Sequence, residues 1–258
     1  MNEDENSQAL VVFNFSRLDG LRDESRHFTF ARRSFVLHQA YKSDSKGGTD
    51  IGFGGSVYNG AFVLSSFLES VPDLIIDKNC IEIGCGPGLV SIAALALGAN
   101  KVVCTDGDPI SVDLAQLNIE KNCTAKEIHR GKIVTKKLFW GNIAEIRECE
   151  SLLTKKCIHG SVKEKRPQFD VVLAADVVAY PYKEAFGPLV ETFEALASER
   201  TVIYLCYQRR HRVEDEFFEK LKRHNFHTEA VERDFIHPDF RSNPVCMVSI
   251  FKISRSCT

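Results

Sequence analysis

Three glycines and two carboxylates give the first sign of chemistry. The stretch "IEIGCGPGLVS" sets Gly84, Gly86 and Gly88 between an apolar run and a segment of helical spacing. Glycines let a backbone turn tightly and come close to a ligand. A helix N-terminus behind them offers free N–H groups and partial positive charge. The dinucleotide fingerprint is G-x-G-x-x-G. Here the third glycine comes one residue early, and Leu89 takes the last place of that pattern. Glu82, two residues before the first glycine, would repel a pyrophosphate but accept from an ammonium or a hydroxyl. Asp106 follows 24 residues after Glu82 and closes the apolar run "KVVCT". That spacing suits one carboxylate holding two vicinal ribose hydroxyls. The set favours a zwitterionic nucleoside over a dinucleotide. The plainer alternative is a Gly-rich turn flanked by solvent-facing acids.

A third acid, Asp176, ends the run in "LAADVVAYPY" and is followed by Tyr180 and Tyr182. A carboxylate here suits the head of an incoming amine, or it caps the turn ahead of the helix that starts near Lys183. Trp140, the single tryptophan, ends "KIVTKKLFW". At a strand end it leans toward a pocket. "RRHR", residues 209–212, either reads an acidic patch on a partner or solvates a loop. Nine cysteines include no C-x-x-C pair. Without clustered ligands at short spacing, no metal site is expected.

The elements that must position these residues alternate. "CIEI", "KVVCT", "KIVTKKLFW", "FDVVLAA" and "TVIYLCYQ" read as strands. Between them, "LVSIAALALGA", "DPISVDLAQLNIEKN" and "KEAFGPLVETFEALAS" read as helices. "EDEFFEKLKRHN" is a further helix, and "FHTEAVERDF" and "VCMVSIFKI" close the chain as an antiparallel strand pair. Upstream, "HFTFARRSFVLH" suggests a strand pair and "VYNGAFVLSSFLES" a helix. An apolar island at Leu10–Phe15 is a possible strand. Residues 145–168 read as a short helix and a loop with no chemistry. Alternation predicts an α/β fold, a mostly parallel sheet with helices on both faces. Such sheets bind ligands at the carboxyl ends of their strands. The division expected is 1–50, an N-terminal extension with short strands, and 51–258, the main domain.

The formal net charge is −2, which gives no drive toward nucleic acid or an anionic membrane. No apolar run approaches the length of a membrane span. The acidic, polar start "MNEDENSQAL" does not read as a signal peptide. Unpatterned thiols in odd number fit a reducing compartment. The expectation is a soluble protein of the cytoplasm or also of the nucleus.

These residues resemble motif I and the acidic loop of the seven-β-strand (class I), Rossmann-like AdoMet-dependent methyltransferases. The likeness extends across roughly residues 50 to 252. "GGSVYNGAFVLSSFLE", "LFWGN", "DVVLAADVVAYPY" and "YQRRHRVEDEFFEKL" are similar, in order, to segments of the methyltransferase-like 21 type protein-lysine methyltransferases. The resemblance implies S-adenosyl-L-methionine (AdoMet) as cofactor, held by Gly84 and Gly86 with Glu82 nearby. It implies Asp106 on the ribose, Trp140 against the adenine side and Ala175 at the backbone after the "FDVVLAA" strand. Tyr58 stands where the family has tryptophan, and Tyr keeps an amphipathic aromatic surface. Asp176 and Tyr180 correspond to a D-x-x-Y signature, but Tyr180 comes one position late. Either a small bulge lets Tyr180 fill that slot, or Asp176 acts alone.

Methyl transfer from a sulfonium needs positioning and desolvation more than acid–base power. A lysine must lose its proton to attack, and a nearby carboxylate raises an amine's pKa. Asp176 is therefore better cast as a positioner than as a base, with Tyr180 or Tyr182 bounding a channel. The implied function is protein-lysine N-methylation of a non-histone protein by a monomer, without metal or nucleic acid. Alternatives are a protein histidine or arginine methyltransferase of the same fold, or a silent AdoMet-binding interaction protein. Adenine methylation usually uses an (N/D)-P-P-(Y/F) loop, and "DVVAYPY" lacks the double proline.

Overall fold

A computed structural model describes residues 19–40, 52–153, 168–241 and 248–256. The side chains of Tyr180, Pro181 and Tyr182 are outside that description, as are the Leu10–Phe15 island and the 50/51 boundary.

The chain opens with a hairpin, β1 (Ser25–Phe30) and β2 (Arg33–His38), followed by α1 (Asn59–Ser70). Alternation begins with β3 (Asn79–Ile83), α2 (Leu89–Ala96), β4 (Lys101–Asp106) and α3 (Pro109–Asn122). It continues through α4 (Ala125–His129), β5 (Ile133–Lys137), α5 (Ile143–Ser151) and β6 (Val171–Ala175). Then come α6 (Phe186–Leu196), β7 (Val202–Gln208), α7 (Asp215–Arg223), β8 (Phe226–Ala230), α8 (Pro238–Arg241) and β9 (Val248–Arg255).

Seven strands form one sheet in the order β5-β4-β3-β6-β7-β9-β8. β3 to β7 run parallel, while β9 lies antiparallel between β7 and β8. The chain winds outward from β3 through β4 to β5, then returns to β6 on the other side of β3. That reversal is the switch point where such sheets bind ligands.

The two-residue period sorts the sheet's faces. Val171 and Leu173 of β6 join a core with α1 and α2, while Val172 and Ala174 join one with α5, α6 and α7. Glu82 breaks this rule. It is 1 % exposed on a strand whose other inner residues are Cys80, Ile81 and Ile83.

Three expected elements differ in extent. The strand predicted through Trp140 stops at Lys137, and the Leu138 N–H bonds to the Asp106 carbonyl as the chain turns out of the sheet. The strand predicted over 226–235 stops at Ala230 and gives way to a 3-10 turn at Arg233–Phe235. The predicted helix at 183–198 starts as a 3-10 turn, Tyr180–Ala185, and becomes α-helical at Phe186. The short α4 was not anticipated; a Thr124–Glu127 capping box starts it.

The hairpin is fastened by helix side chains. Asn122 accepts the Val36 N–H at 2.8 Å and donates to the Val36 carbonyl at 3.0 Å. One turn earlier, Asn118 does the same for His38, at 2.8 and 3.0 Å. Asn118 also donates to the Pro87 carbonyl at 2.9 Å, tying the hairpin to the glycine loop.

Candidate active site

A cavity of about 680 Å³ opens at the carboxyl ends of β3, β4 and β6, within the range of small-molecule sites. Tyr58, Glu82, Gly84, Gly86, Asp106, Trp140, Ala175 and Asp176 all line it. Residues separated by more than a hundred positions in sequence therefore meet at one place.

The glycine loop forms the floor. Gly84 has φ +71°, a left-handed conformation open mainly to glycine. A Cβ on it would meet Val177 Cγ1 at 2.7 Å, so space and backbone both demand its absence. The N-terminus of α2 lies behind, with Gly88 at the N-cap and no capping side chain of its own. Glu82 does that work from the neighbouring strand. Its Oε2 accepts the Ser91 N–H at 2.8 Å and the Ser91 hydroxyl at 2.5 Å. Oε1 has no protein partner among the described residues. Burial pushes the Glu82 carboxyl up to about 8, against the pull of the two Ser91 bonds, with the nearby Asp106 charge adding to the rise.

Asp106 sits at the end of β4. Its carboxylate accepts the Gly86 N–H and the Asp108 N–H, each at 3.0 Å. Burial raises its pKa while these bonds oppose the rise. Asp108 caps α3, accepting from the Ile110 N–H at 3.1 Å and the Ser111 hydroxyl at 3.0 Å. Phe139 and Trp140, where the chain leaves β5, form an aromatic edge; Phe139 is 61 % exposed. The donor set suits AdoMet: a glycine cradle, a carboxylate for hydroxyls, a second one with a free oxygen, and an aromatic wall.

Asp176 closes the other end. It adopts φ +56°, a conformation Asp tolerates better than most residues. Its side chain is 6 % exposed and fully engaged. Oδ2 accepts the Gly60 N–H in the first turn of α1 at 2.8 Å. Oδ1 accepts the Gln208 N–H and Arg210 Nη2, each at 3.1 Å. A Cβ on Gly60 would stand 2.5 Å from Oδ2, so this glycine is required by close approach. Asp176 thus ties three elements, β6, α1 and the end of β7. These partnerships lie far apart in sequence and were not visible there.

Arg210 also lines the cavity. The sequence offers "RRHR" either as a reader of an acidic patch or as a solvated loop; Arg209 turns outward, paired with Asp215. Phe139 was missed as well, although it adjoins Trp140. The side-chain expectation for Tyr180 falls outside the described residues. Its turn borders the cavity through Ala179 and Ala185. Among the described residues no cluster of potential metal ligands occurs.

The model of a family described as lysine methyltransferase matches residues 42–224. The chain belongs to the lysine methyltransferase family. It is 29 % identical over 219 residues to the protein N-lysine methyltransferase METTL21A of Xenopus tropicalis, covering 84 % of this chain and 87 % of that one. It is 36 % identical over 173 residues to the protein-lysine methyltransferase METTL21E of Mus musculus, covering 66 % and 62 %. The expectation drawn from the motifs is met. Among solved structures, a Thermus thermophilus 16S rRNA N2 G1207 methyltransferase in complex with AdoMet and guanosine superposes with a TM-score of 0.54 at 14 % identity, covering 90 % of this chain and 50 % of that one. SMU.776, a methyltransferase complexed with SAH, superposes at 0.52 and 13 %, covering 90 % and 56 %. Both support the class I methyltransferase fold of this lysine methyltransferase.

Proposed function

We propose that the protein transfers the methyl group of AdoMet to a lysine side chain of a non-histone protein. The observation that carries this reading is the single cavity joining the glycine loop, Asp106, Trp140 and Asp176. AdoMet, when bound, supplies an electrophilic methyl on a sulfonium and leaves as S-adenosyl-L-homocysteine.

Each residue's part follows from its place. Glu82 Oε1 accepts from the amino group of the cofactor. Asp106 exchanges its bonds to Gly86 and Asp108 for ribose hydroxyls. Trp140 and Phe139 flank the adenine. Gly84 and Gly86 keep the floor low, and Ala175 offers backbone rather than bulk. Tyr58, at the N-cap of α1, bounds the passage between cofactor and acceptor. Asp176 holds α1 and β7 at the spacing the acceptor needs. The Tyr180 turn forms the outer rim. The lysine gives its proton to water before it is enclosed.

The six described cysteines are free thiols, which supports a reducing compartment, the cytoplasm or nucleus. We take the enzyme to act as a monomer. Incubation with labelled AdoMet and a cytosolic extract, followed by mass spectrometry of the labelled protein, tests the reading. Label on lysine is expected. Label on RNA, or AdoMet binding without transfer, would refute it.

A further inference from the structure

The cavity crosses the sheet from the aromatic edge after β5, over the β4 and β3 loops, to the ends of β6 and β7. The cofactor occupies the first part on the reading above, so the acceptor amine must enter beside Asp176 and Arg210. That location creates a chemical difficulty. An unneutralised carboxylate next to a lysine keeps it an ammonium, which has no lone pair to attack with.

We propose that Arg210 is a positioning residue for the acceptor, neutralising Asp176 so that the incoming lysine can lose its proton. The inference rests on the lysine reading above. Its geometry is specific. Arg210 reaches Asp176 Oδ1 through Nη2 at 3.1 Å and the Gln208 carbonyl through Nη1 at 3.1 Å. Its own N–H donates to Glu214 Oε2 at 2.9 Å, and Glu214 is fully buried. Backbone and guanidinium are thus both anchored. The Arg210 side chain is 38 % exposed against 6 % for Asp176, so the positive charge covers the acid from the solvent side.

Among the described residues around this end, Glu214 and His211 accept from the Arg210 and Val213 N–H groups. Cys206 of β7 is buried, and its thiol is pushed well up by burial and then by the Asp176 charge, so it stays neutral. Tyr58 comes from α1, and Glu82 lies deeper, at β3. Lys183 pairs with Glu184, and Arg209 with Asp215. Arg210 is the cation joined to Asp176 among the described residues.

The test uses single-turnover transfer from labelled AdoMet to the acceptor protein that the extract experiment identifies, measured across pH. In Arg210→Gln the acid limb of the transfer-rate profile moves to higher pH by about one unit or more. Arg210→Lys keeps the wild-type position. Arg210→Gln combined with Asp176→Asn returns to it. A profile that only loses height in Arg210→Gln would make Arg210 purely structural and overturn the proposal, as would a shift that persists in the double variant. If Arg210→Gln does not fold, Arg210→Lys still decides, because a shifted profile there contradicts neutralisation by charge. Absence of lysine label with the wild-type enzyme sinks the functional reading itself; an unshifted profile sinks only the role of Arg210.

Discussion

Cofactor binding should expel a proton from Glu82. In the free protein this carboxyl titrates at about 8, so at pH 7 roughly nine molecules in ten carry it neutral. A cofactor ammonium against Oε1 favours the carboxylate. Ionising the group at pH 7 costs about 1.4 kcal/mol, and a hydrogen bond between charged groups returns about 1.5–3 kcal/mol. The proton therefore leaves on binding. Calorimetry at pH 7 in buffers of different ionisation enthalpy should read about 0.8 proton released per AdoMet, the loss from Glu82 less the small uptake by the ligand's α-amino group. Affinity should rise by roughly eightfold between pH 6 and pH 7. The range stays below pH 7.5, because an α-amino group titrates near ~7.7–8.0 and the ligand must remain a cation. Glu82→Gln keeps an acceptor for Ser91 but has nothing to ionise, so its proton release and pH slope vanish. A wild-type enzyme that binds AdoMet with no proton release, or a Glu82→Gln variant with the same slope, would refute the reasoning.

The same raised pKa has a stability consequence. The unfolded chain releases this proton near 4.5, while the folded one retains it until about 8. Between those values the native state holds more protons, so its stability falls as pH rises through that window. Thermal melts of Glu82→Gln should show a smaller decline over the same range. Gly60→Ala places a methyl 2.5 Å from Asp176 Oδ2, and denaturant unfolding should show a loss of about 1–3 kcal/mol. Asn118→Ala removes the bonds to His38 and Pro87, and unfolding should register a loss of about 2 kcal/mol with weaker AdoMet binding. Trp140 is the sole tryptophan and lines the cavity, so intrinsic fluorescence should change on AdoMet addition and saturate at the calorimetric stoichiometry.

Much of this was legible in the sequence for physical reasons. The glycines, Glu82 and Asp106 sit at fixed offsets from strand ends, and parallel strands bring their carboxyl ends to one edge. Their convergence on one cavity follows from the alternation of elements. What stayed hidden depends on contacts between distant segments. Asp176 looked free because Gly60, Gln208 and Arg210 come from other elements. Glu82 gave no hint that it caps α2, since a helix start preceded by glycine shows only that some other group must serve. Arg209 and Arg210 are adjacent and identical in type, yet one turns to solvent and the other to the cavity.

The Asn118–Asn122 ladder bears on what the hairpin can join. Among the described residues β2 has β1 along one side only, and an unsatisfied strand edge invites pairing with another chain. Here amide side chains one helical turn apart stand in for a third strand, occupying the N–H and carbonyl of both Val36 and His38. The blocking group is covalently part of α3, so the edge is released only when the helix lifts away. Amide hydrogen exchange at Val36 and His38 therefore reports helix docking rather than strand fraying, although both residues sit at the margin of a two-stranded sheet.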